Sequence, residues 1–507
     1  MKLYELLSSV ETFSYEMPND LEIMGITSDS RRVKPGDLFV CIRGLHEDGH
    51  RYMQDALHAG AAAVMTESAC DCVPDGVPHI TVPSTRSALA KLYHAWYGRP
   101  GDRLRLIAVT GTNGKTSVSF MLRAIWENAL ERCGLIGTVH CYSCGRLLEH
   151  RSPDSLANMT TPDPENLYRL LAEMEADGAK TVIMEATSHA LSLGKLDALH
   201  FDAAIFTNLT PEHLDFHGDM EHYFEAKAKL FRMCDLAIIN LDDPWAERLA
   251  ACVQGSVRFC SIHAEQADYV ARQIEDRGME GISYLLKGKQ AEMRITCRIP
   301  GMFSVMNTLQ AATLALERGK LPACIHDAIA SLNGVQGRME RVRLPPEAEF
   351  SVFVDYAHTP DALENLLRAA RGFCKKENRL VLLFGCGGDR DKSKRPRMGK
   401  IASALADFVI ITSDNSRTEE PMAIIEEILV GMSDRDANHY RVICDRKEAI
   451  QYALEQAQCG DVILLAGKGH ETYEINKTGR HPFDEKEIVA QIAEQLLASK
   501  RESKKND

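Results

Sequence analysis

Short apolar runs recur along this chain, and between them lie stretches whose apolar positions return at helical spacing. Up to about Tyr97, residues 37–42 (DLFVCI) read as a strand and the alanine-rich residues 54–63 as a helix. Gly98-Arg-Pro-Gly-Asp102 then puts breakers close together and marks a turn. A second block opens on residues 104–110 (LRLIAVT) and continues with strand-like runs at 181–184, 203–206 and 236–239. Strands alternating with helices predict a parallel sheet covered on both faces. The glycines around residues 333–337 predict the end of that block. A third block repeats the alternation, with runs at 351–354, 380–384, 408–411 and 462–465, and reads as a Rossmann-like αβ domain. The fold class expected is therefore α/β, in three domains at 1–98, 99–335 and 336–507. Residues 499–507 read as a frayed polar tail.

Composition adds exclusions. A chain of 507 residues with 45% hydrophobic and 26% charged residues has a globular composition and suits about three domains. The net charge of −13 argues against general nucleic-acid binding. No apolar run approaches the roughly 20 residues that a membrane helix needs. The N-terminus has early acids and no apolar centre, unlike a signal peptide. Fifteen scattered cysteines suggest reduced thiols in the cytoplasm. The close pairs Cys70/Cys72 and Cys141/Cys144 are wrongly separated for a structural zinc site.

The first piece of chemistry follows the strand ending at Thr110. In Gly111, Thr112, Asn113, Gly114, Lys115, Thr116 and Ser117, glycines free backbone N–H groups to turn inward at a helix start. Lys115 can reach terminal phosphates and Thr116 can hold Mg²⁺. The strict phosphate-loop pattern wants glycine at Val109, and Gly111 supplies that flexibility later. A second signal is Glu185, an acid closing a buried-type strand, where hard oxygen ligands suit Mg²⁺ beside such a loop.

The run GTNGKTS resembles the ATP loop of the Mur ligase superfamily, which also contains folylpolyglutamate synthases, and the resemblance extends over nearly the whole chain. It implies an ATP-dependent ligase in which a phosphorylated carboxylate is captured by an amine. It further implies that Glu185 and His213, in TNLTPEHLDFHG, serve the metal, and that Lys227 is carbamylated (N6-carboxylysine) to orient Mg²⁺. Burial would favour the neutral amine that CO₂ requires. Lys229, two residues on, should face elsewhere. Asn307, in a motif carrying Ser304 where the family usually has Asn, belongs to the adenine side. Arg338 would neutralise phosphoryl charge, Asp355 would meet the ribose and His358 the base.

The first block resembles the uridine-nucleotide domain of the UDP-MurNAc-tripeptide synthetases. That implies contacts from Ser30, Leu45, His46 and Glu47 to UDP, and from Thr160, Thr161, Thr187 and Lys195 to the muramyl dipeptide. Thr187 replaces a usual serine, Leu193 a frequent glutamine and Lys195 a frequent arginine. In the last block, Arg390, Asp414, Asn415, Ser416, Arg417, Gly467 and Glu471 match a diaminopimelate pocket, with Ser416 in place of the motif's proline. Arg417 can grip a distal carboxylate that lysine lacks. The implied reactants are ATP, UDP-N-acetylmuramoyl-L-alanyl-D-glutamate and meso-diaminopimelate, with Mg²⁺ as cofactor and a monomer as the expected state. Addition of lysine or another diamino acid, a folate-type ligase and a plain phosphotransferase remain as alternatives.

Overall fold

The computed structural model describes residues 1–10, 14–15, 21–44, 47–68, 73–74, 76–148, 160–289, 291–332, 334–432 and 439–506. Cys70, Cys72, Leu45 and His46 lie outside these residues.

The first sheet has five strands in the order Ser14–Tyr15, His79–Thr81, Ala63–Thr66, Asp37–Val40 and Gly25–Thr27, parallel except for the first. The helix expected over 54–63 spans only Met53–His58. Gly60, at φ +101, turns the chain, and Ala63 already begins a strand. Helix Thr85–Trp96 packs on this sheet and is capped by Ser84, whose side chain accepts from the Ser87 N–H.

The second sheet has eleven strands. Its parallel centre runs Cys133–Ile136, Thr181–Glu185, Arg105–Thr110, Ala203–Phe206, Leu236–Asn240 and Ser256–Ser261 in spatial order. All of the first five are buried throughout, apart from Arg105 at the rim, as expected of strands covered on both faces. The sequence reading did not anticipate the antiparallel wings, Cys141–Ser143 with Arg146–Leu148 at one end and Ile282–Gly288 with Glu292–Cys297 at the other.

The third sheet places Ser351–Asp355, Val462–Ala466, Leu380–Phe384, Phe408–Ile411 and Tyr440–Val442 in parallel order, with Glu340–Arg341 antiparallel at one edge. The final helix, Glu485–Asn506, continues where a frayed tail was expected, over a stretch rich in strong helix formers. Apolar packing divides unevenly. One continuous core joins the first domain to one face of the central sheet, from Leu6 and Ile80 through Leu92 to Leu171 and Phe206. The third sheet has its own cores on its two faces. Among the described residues, no helix is long and apolar enough to cross a membrane.

Candidate active site

In both larger sheets, chemistry-bearing residues sit just past the carboxyl ends of parallel strands, where open α/β sheets bind ligands. On the central sheet, four adjacent strands end at Ile136, Glu185, Thr110 and Phe206, and lead into Gly137-Thr138, Ala186-Thr187, the 111–117 loop and Thr207-Asn208.

The 111–117 loop is built around its glycines. Gly111 has φ +147, and a Cβ there would fall 1.9 Å from Thr207 Oγ1. Gly114 has φ +87, and its bare Cα lets Asn307 Oδ1 approach, 2.8 Å from where a Cβ would stand. The helix Lys115–Asn128 starts immediately afterwards. Lys115 Nζ folds back to donate to the carbonyls of Gly111 (2.9 Å) and Thr112 (2.8 Å). Desolvation lowers its pKa, and Arg338 pushes the same way.

Lys227 arrives from helix Met220–Phe231, which Asp219 caps through the His222 N–H. It is buried and donates to the same Gly111 carbonyl at 2.9 Å, with its Nζ 4.6 Å from the centre of the Tyr223 ring. Burial, then the Lys115 cation, hold its pKa well below the ordinary lysine value. The amine is thus biased toward its neutral, nucleophilic form. Lys229 is exposed, as its offset predicts.

Glu185 is fully buried and gripped by hydroxyls. Its Oε2 accepts from Thr116 Oγ1 (3.0 Å) and Thr138 Oγ1 (2.8 Å), and its Oε1 from the Thr138 N–H (3.0 Å). Among the described residues, no group of three or more His, Cys, Asp or Glu side chains is disposed to hold a metal. One carboxylate with neighbouring hydroxyls does fit Mg²⁺, which keeps waters and completes its octahedron with substrate phosphates. His213, at φ +56, packs edge-on to His189 at 4.6 Å and to Tyr223 at 6.4 Å. Its side chain remains 41% exposed, while desolvation on its packed side, then Lys115 and Lys227, push its pKa down to about 4, favouring a neutral imidazole able to act as a ligand.

The third domain meets this loop directly. Asp361, in the first turn of helix Pro360–Phe373, accepts at Oδ2 from Asn113 Nδ2 (2.6 Å) and Thr210 Oγ1 (2.9 Å). Arg338 reaches across with one terminal nitrogen 3.5 Å from Thr116 Oγ1 and its guanidinium over the Tyr356 ring. Its buried Nε makes no hydrogen bond. Asp355 accepts from the N–H groups of Met339 (2.6 Å) and Ala357 (2.8 Å), and desolvation raises its pKa. His358 is held by the Tyr356 carbonyl at 2.9 Å, and burial with Lys394 nearby pushes it down to about 4.

Loops at the ends of the third sheet gather a second cluster of polar side chains. Asp414, Asn415 and Ser416 are buried. Asn415 Nδ2 donates to Glu471 Oε2 at 2.7 Å, and its Oδ1 accepts from Lys468 Nζ (3.2 Å) and the Ile475 N–H (2.9 Å). Burial works to raise the Asp414 pKa, but the Lys468 and Arg446 cations outweigh it and hold it low. Glu471 moves the other way, raised by burial and by Asp414. Gly467 has φ +112, and a Cβ there would lie 2.7 Å from Asp414 Oδ2. Arg417, at φ +52, donates to the carbonyls of Gly388 (2.8 Å) and Asn415 (3.2 Å). Arg390 is exposed on the neighbouring loop.

The remaining expected residues lie toward the first domain. Thr161 Oγ1 donates to the Glu185 carbonyl at 2.8 Å and lies 3.2 Å from Thr187 Oγ1, which caps helix Ser188–Ser192. Thr160 Oγ1 is 3.0 Å from Thr138 Oγ1, and Lys195 Nζ pairs with Asp163 at 2.7 Å. Ser30 opens the turn Ser30–Arg32, and Glu47 accepts from Tyr52 Oη at 3.2 Å. Arg32 pairs with Glu165 at 3.1 Å, tying this domain to the next. Thr138, Asp361 and Lys468 escaped the sequence reading. Each is an ordinary polar residue whose partners lie far away in sequence.

A glycine-built loop with two lysines on one of its carbonyls, met by the third domain through Asp361 and Arg338, defines a nucleotide-dependent enzyme class. Family models agree along the chain: residues 22–97 match "Mur ligase family, catalytic domain", 109–315 "Mur ligase middle domain" and 337–469 "Mur ligase, glutamate ligase domain". The chain belongs to the Mur ligase family. A UDP-N-acetylmuramoyl-L-alanyl-D-glutamate–2,6-diaminopimelate ligase of Syntrophomonas wolfei is 42% identical over 97% of this chain and 99% of its own. One of the same name from Clostridioides difficile is 40% identical over 96% and 99%. A solved structure titled as that ligase superposes with TM-score 0.68 at 31% identity, covering 98% of this chain and all of its own. Folylpolyglutamate synthase of Mycobacterium tuberculosis shares the fold alone, with TM-score 0.61 at 18% identity over 81% of this chain and 95% of its own.

Proposed function

We propose that this protein joins meso-2,6-diaminopimelate to UDP-N-acetylmuramoyl-L-alanyl-D-glutamate, converting ATP to ADP and phosphate through an acyl phosphate. The convergence of Lys115 and Lys227 on the Gly111 carbonyl beside Glu185 carries this reading. The relatives named for the reaction support it. The domains are taken as 1–98 for the uridine nucleotide, 99–335 for ATP and 336–507 for the amino acid.

The D-glutamyl carboxylate attacks the γ-phosphorus of ATP. Lys115 and Arg338 hold the transferring charge, and an anionic oxygen gives the buried Arg338 Nε the acceptor it lacks. Asn307, Asp355 and His358 hold the nucleoside. Mg²⁺, when bound, neutralises phosphate charge and fixes geometry; Thr116, Glu185, His213 and Lys227 would hold it. For that role the neutral Lys227 amine adds to CO₂ and releases a proton, giving the N6-carboxylate. One deprotonated amine of diaminopimelate then attacks the acyl carbon and expels phosphate.

Asp414 and Glu471 suit the ammonium end of the amino acid, and Arg417, Arg390 and the backbone of Asn415, Ser416 and Gly467 its carboxylates. Ser30, Leu45, His46 and Glu47 take the uridine diphosphate, and Thr160, Thr161, Thr187 and Lys195 the dipeptide. The enzyme acts as a monomer in the cytoplasm, where reduced cysteines persist.

Purified protein given the muramyl dipeptide, Mg²⁺, ATP and either meso-diaminopimelate or L-lysine decides the matter. Mass spectrometry should find a product longer by one diaminopimelate residue, with stoichiometric phosphate. Lysine addition would move the specificity, and phosphate release without an extended product would leave only a nucleotidase.

A further inference from the structure

Glu185 is held in an unusual way for a single carboxylate at a strand end. Thr138 gives it two hydrogen bonds, the backbone N–H to Oε1 at 3.0 Å and the side-chain hydroxyl to Oε2 at 2.8 Å. With Thr116 Oγ1 also donating to Oε2 at 3.0 Å, both oxygens are held and the carboxylate plane is fixed. The residue before it must be small: a Cβ on Gly137 would lie 2.4 Å from Glu185 Oε1. Thr138 follows strand Cys133–Ile136, which is hydrogen-bonded to the strand that carries Glu185, so the clamp belongs to the sheet.

The hydroxyl has a further neighbour, Thr160 Oγ1 at 3.0 Å. A hydroxyl has one proton to give and two lone pairs to receive, and a carboxylate only accepts. The Thr138 hydroxyl is the donor in both contacts, so Glu185 Oε2 and Thr160 Oγ1 compete for its single proton. Thr138 therefore stands between the acceptor-side loop and the carboxylate, with one proton to give to either.

We propose that Thr138 is a positioning residue: it orients Glu185 for the divalent cation and links that carboxylate to the muramyl-peptide loop through Thr160. This rests on the reading that Glu185 serves Mg²⁺ and that Thr160 faces the acceptor. A ligand group that donates to Thr160 Oγ1 in place of Thr138 leaves the Thr138 proton to Glu185, and the grip on the carboxylate tightens in response. Removing the hydroxyl breaks this link while the backbone grip on Oε1 persists.

The test compares full-length Thr138→Val and Thr138→Ser with the wild type. Mg²⁺ is titrated calorimetrically against protein saturated with a non-hydrolysable ATP analogue, so that no turnover is needed, and the KM for the muramyl dipeptide is measured separately. Valine, nearly isosteric, should weaken Mg²⁺ roughly ten- to a hundredfold, as the loss of an outer-sphere hydrogen-bond partner does. It should also raise the acceptor KM and leave the diaminopimelate KM unchanged. Serine should restore both values. A valine variant with wild-type Mg²⁺ affinity and acceptor KM would overturn the proposal. So would a serine variant as defective as valine, or a fall in melting temperature alone. Should the valine variant not fold, Thr138→Ala takes its place with the same expectations. A wild type that makes no extended product, yet shows the Mg²⁺ loss on substitution, would refute the proposed reaction and leave the clamp standing.

Discussion

Two ammonium groups directed at one carbonyl oxygen repel each other, and the Gly111 carbonyl receives both Lys115 and Lys227. The strain resolves if one is neutral, and burial makes that one Lys227. Charge is managed differently at the third sheet, where Arg417 donates to two backbone carbonyls, which the proposed function has it exchange for a diaminopimelate carboxylate. Arg417→Ala should lower kcat/KM for diaminopimelate at least about a hundredfold, as loss of a two-bond charged contact does. Binding of an ATP analogue, followed by calorimetry, should not change. Glu471 yields a pH prediction. A carboxyl whose folded pKa lies above its unfolded value stabilises the fold when protonated, and that contribution is lost as pH rises through the folded value. Glu471→Gln should therefore raise the melting temperature at pH 7 by about a degree or two. The gain should shrink below the ordinary carboxyl pKa of about 4.3, and the KM for diaminopimelate should rise. Thermal melts across pH check the first part and steady-state kinetics the second.

At the scale of elements, the active groups sit where strands stop, and the loops there depend on missing side chains. Gly111→Ala would place a methyl 1.9 Å from Thr207 Oγ1 at a backbone φ of +147. The expected result is at least a tenfold rise in the ATP KM with the far-ultraviolet circular dichroism intact. The strands themselves were legible in the sequence: runs such as 203–206, 380–384 and 408–411 coincide with observed strands, because a strand buried on both faces must be continuously apolar. The helix over 54–63 was overdrawn because alanine suits helix and buried strand alike, and only the turn at Gly60 separates them. The three-residue strands Cys141–Ser143 and Arg146–Leu148 carry too little periodicity to be read, whereas Glu292–Cys297 alternates buried and exposed positions and was missed. Residues of the phosphate loop were legible because their spacing is local. Thr138, which grips Glu185 from 47 positions away, and Lys468, which meets Asn415 across 53, were not.

At the scale of the whole molecule, Asp361 joins the third domain to the phosphate loop through Asn113 and to the histidine-bearing loop through Thr210. It holds the loop amide and the first turn of a distant helix on a single oxygen, so nucleotide affinity and domain position are coupled. Asp361→Ala should raise the ATP KM several-fold. It should also widen the solution envelope measured by small-angle X-ray scattering without nucleotide, and leave the diaminopimelate KM nearly unaltered at saturating ATP. An unchanged envelope with an unchanged KM would remove the coupling. The α/β class was legible from the alternation of strands and helices, but this junction was not, because nothing in the chain around residue 361 records which loop it faces.

The apolar layer that runs unbroken from the first domain into the central sheet has a mechanical meaning. Those two domains share their oil, so parting them would wet it, whereas the third keeps its own interior and meets them largely through polar bonds. Separating the third domain would therefore cost little apolar contact, and separating the first two a great deal.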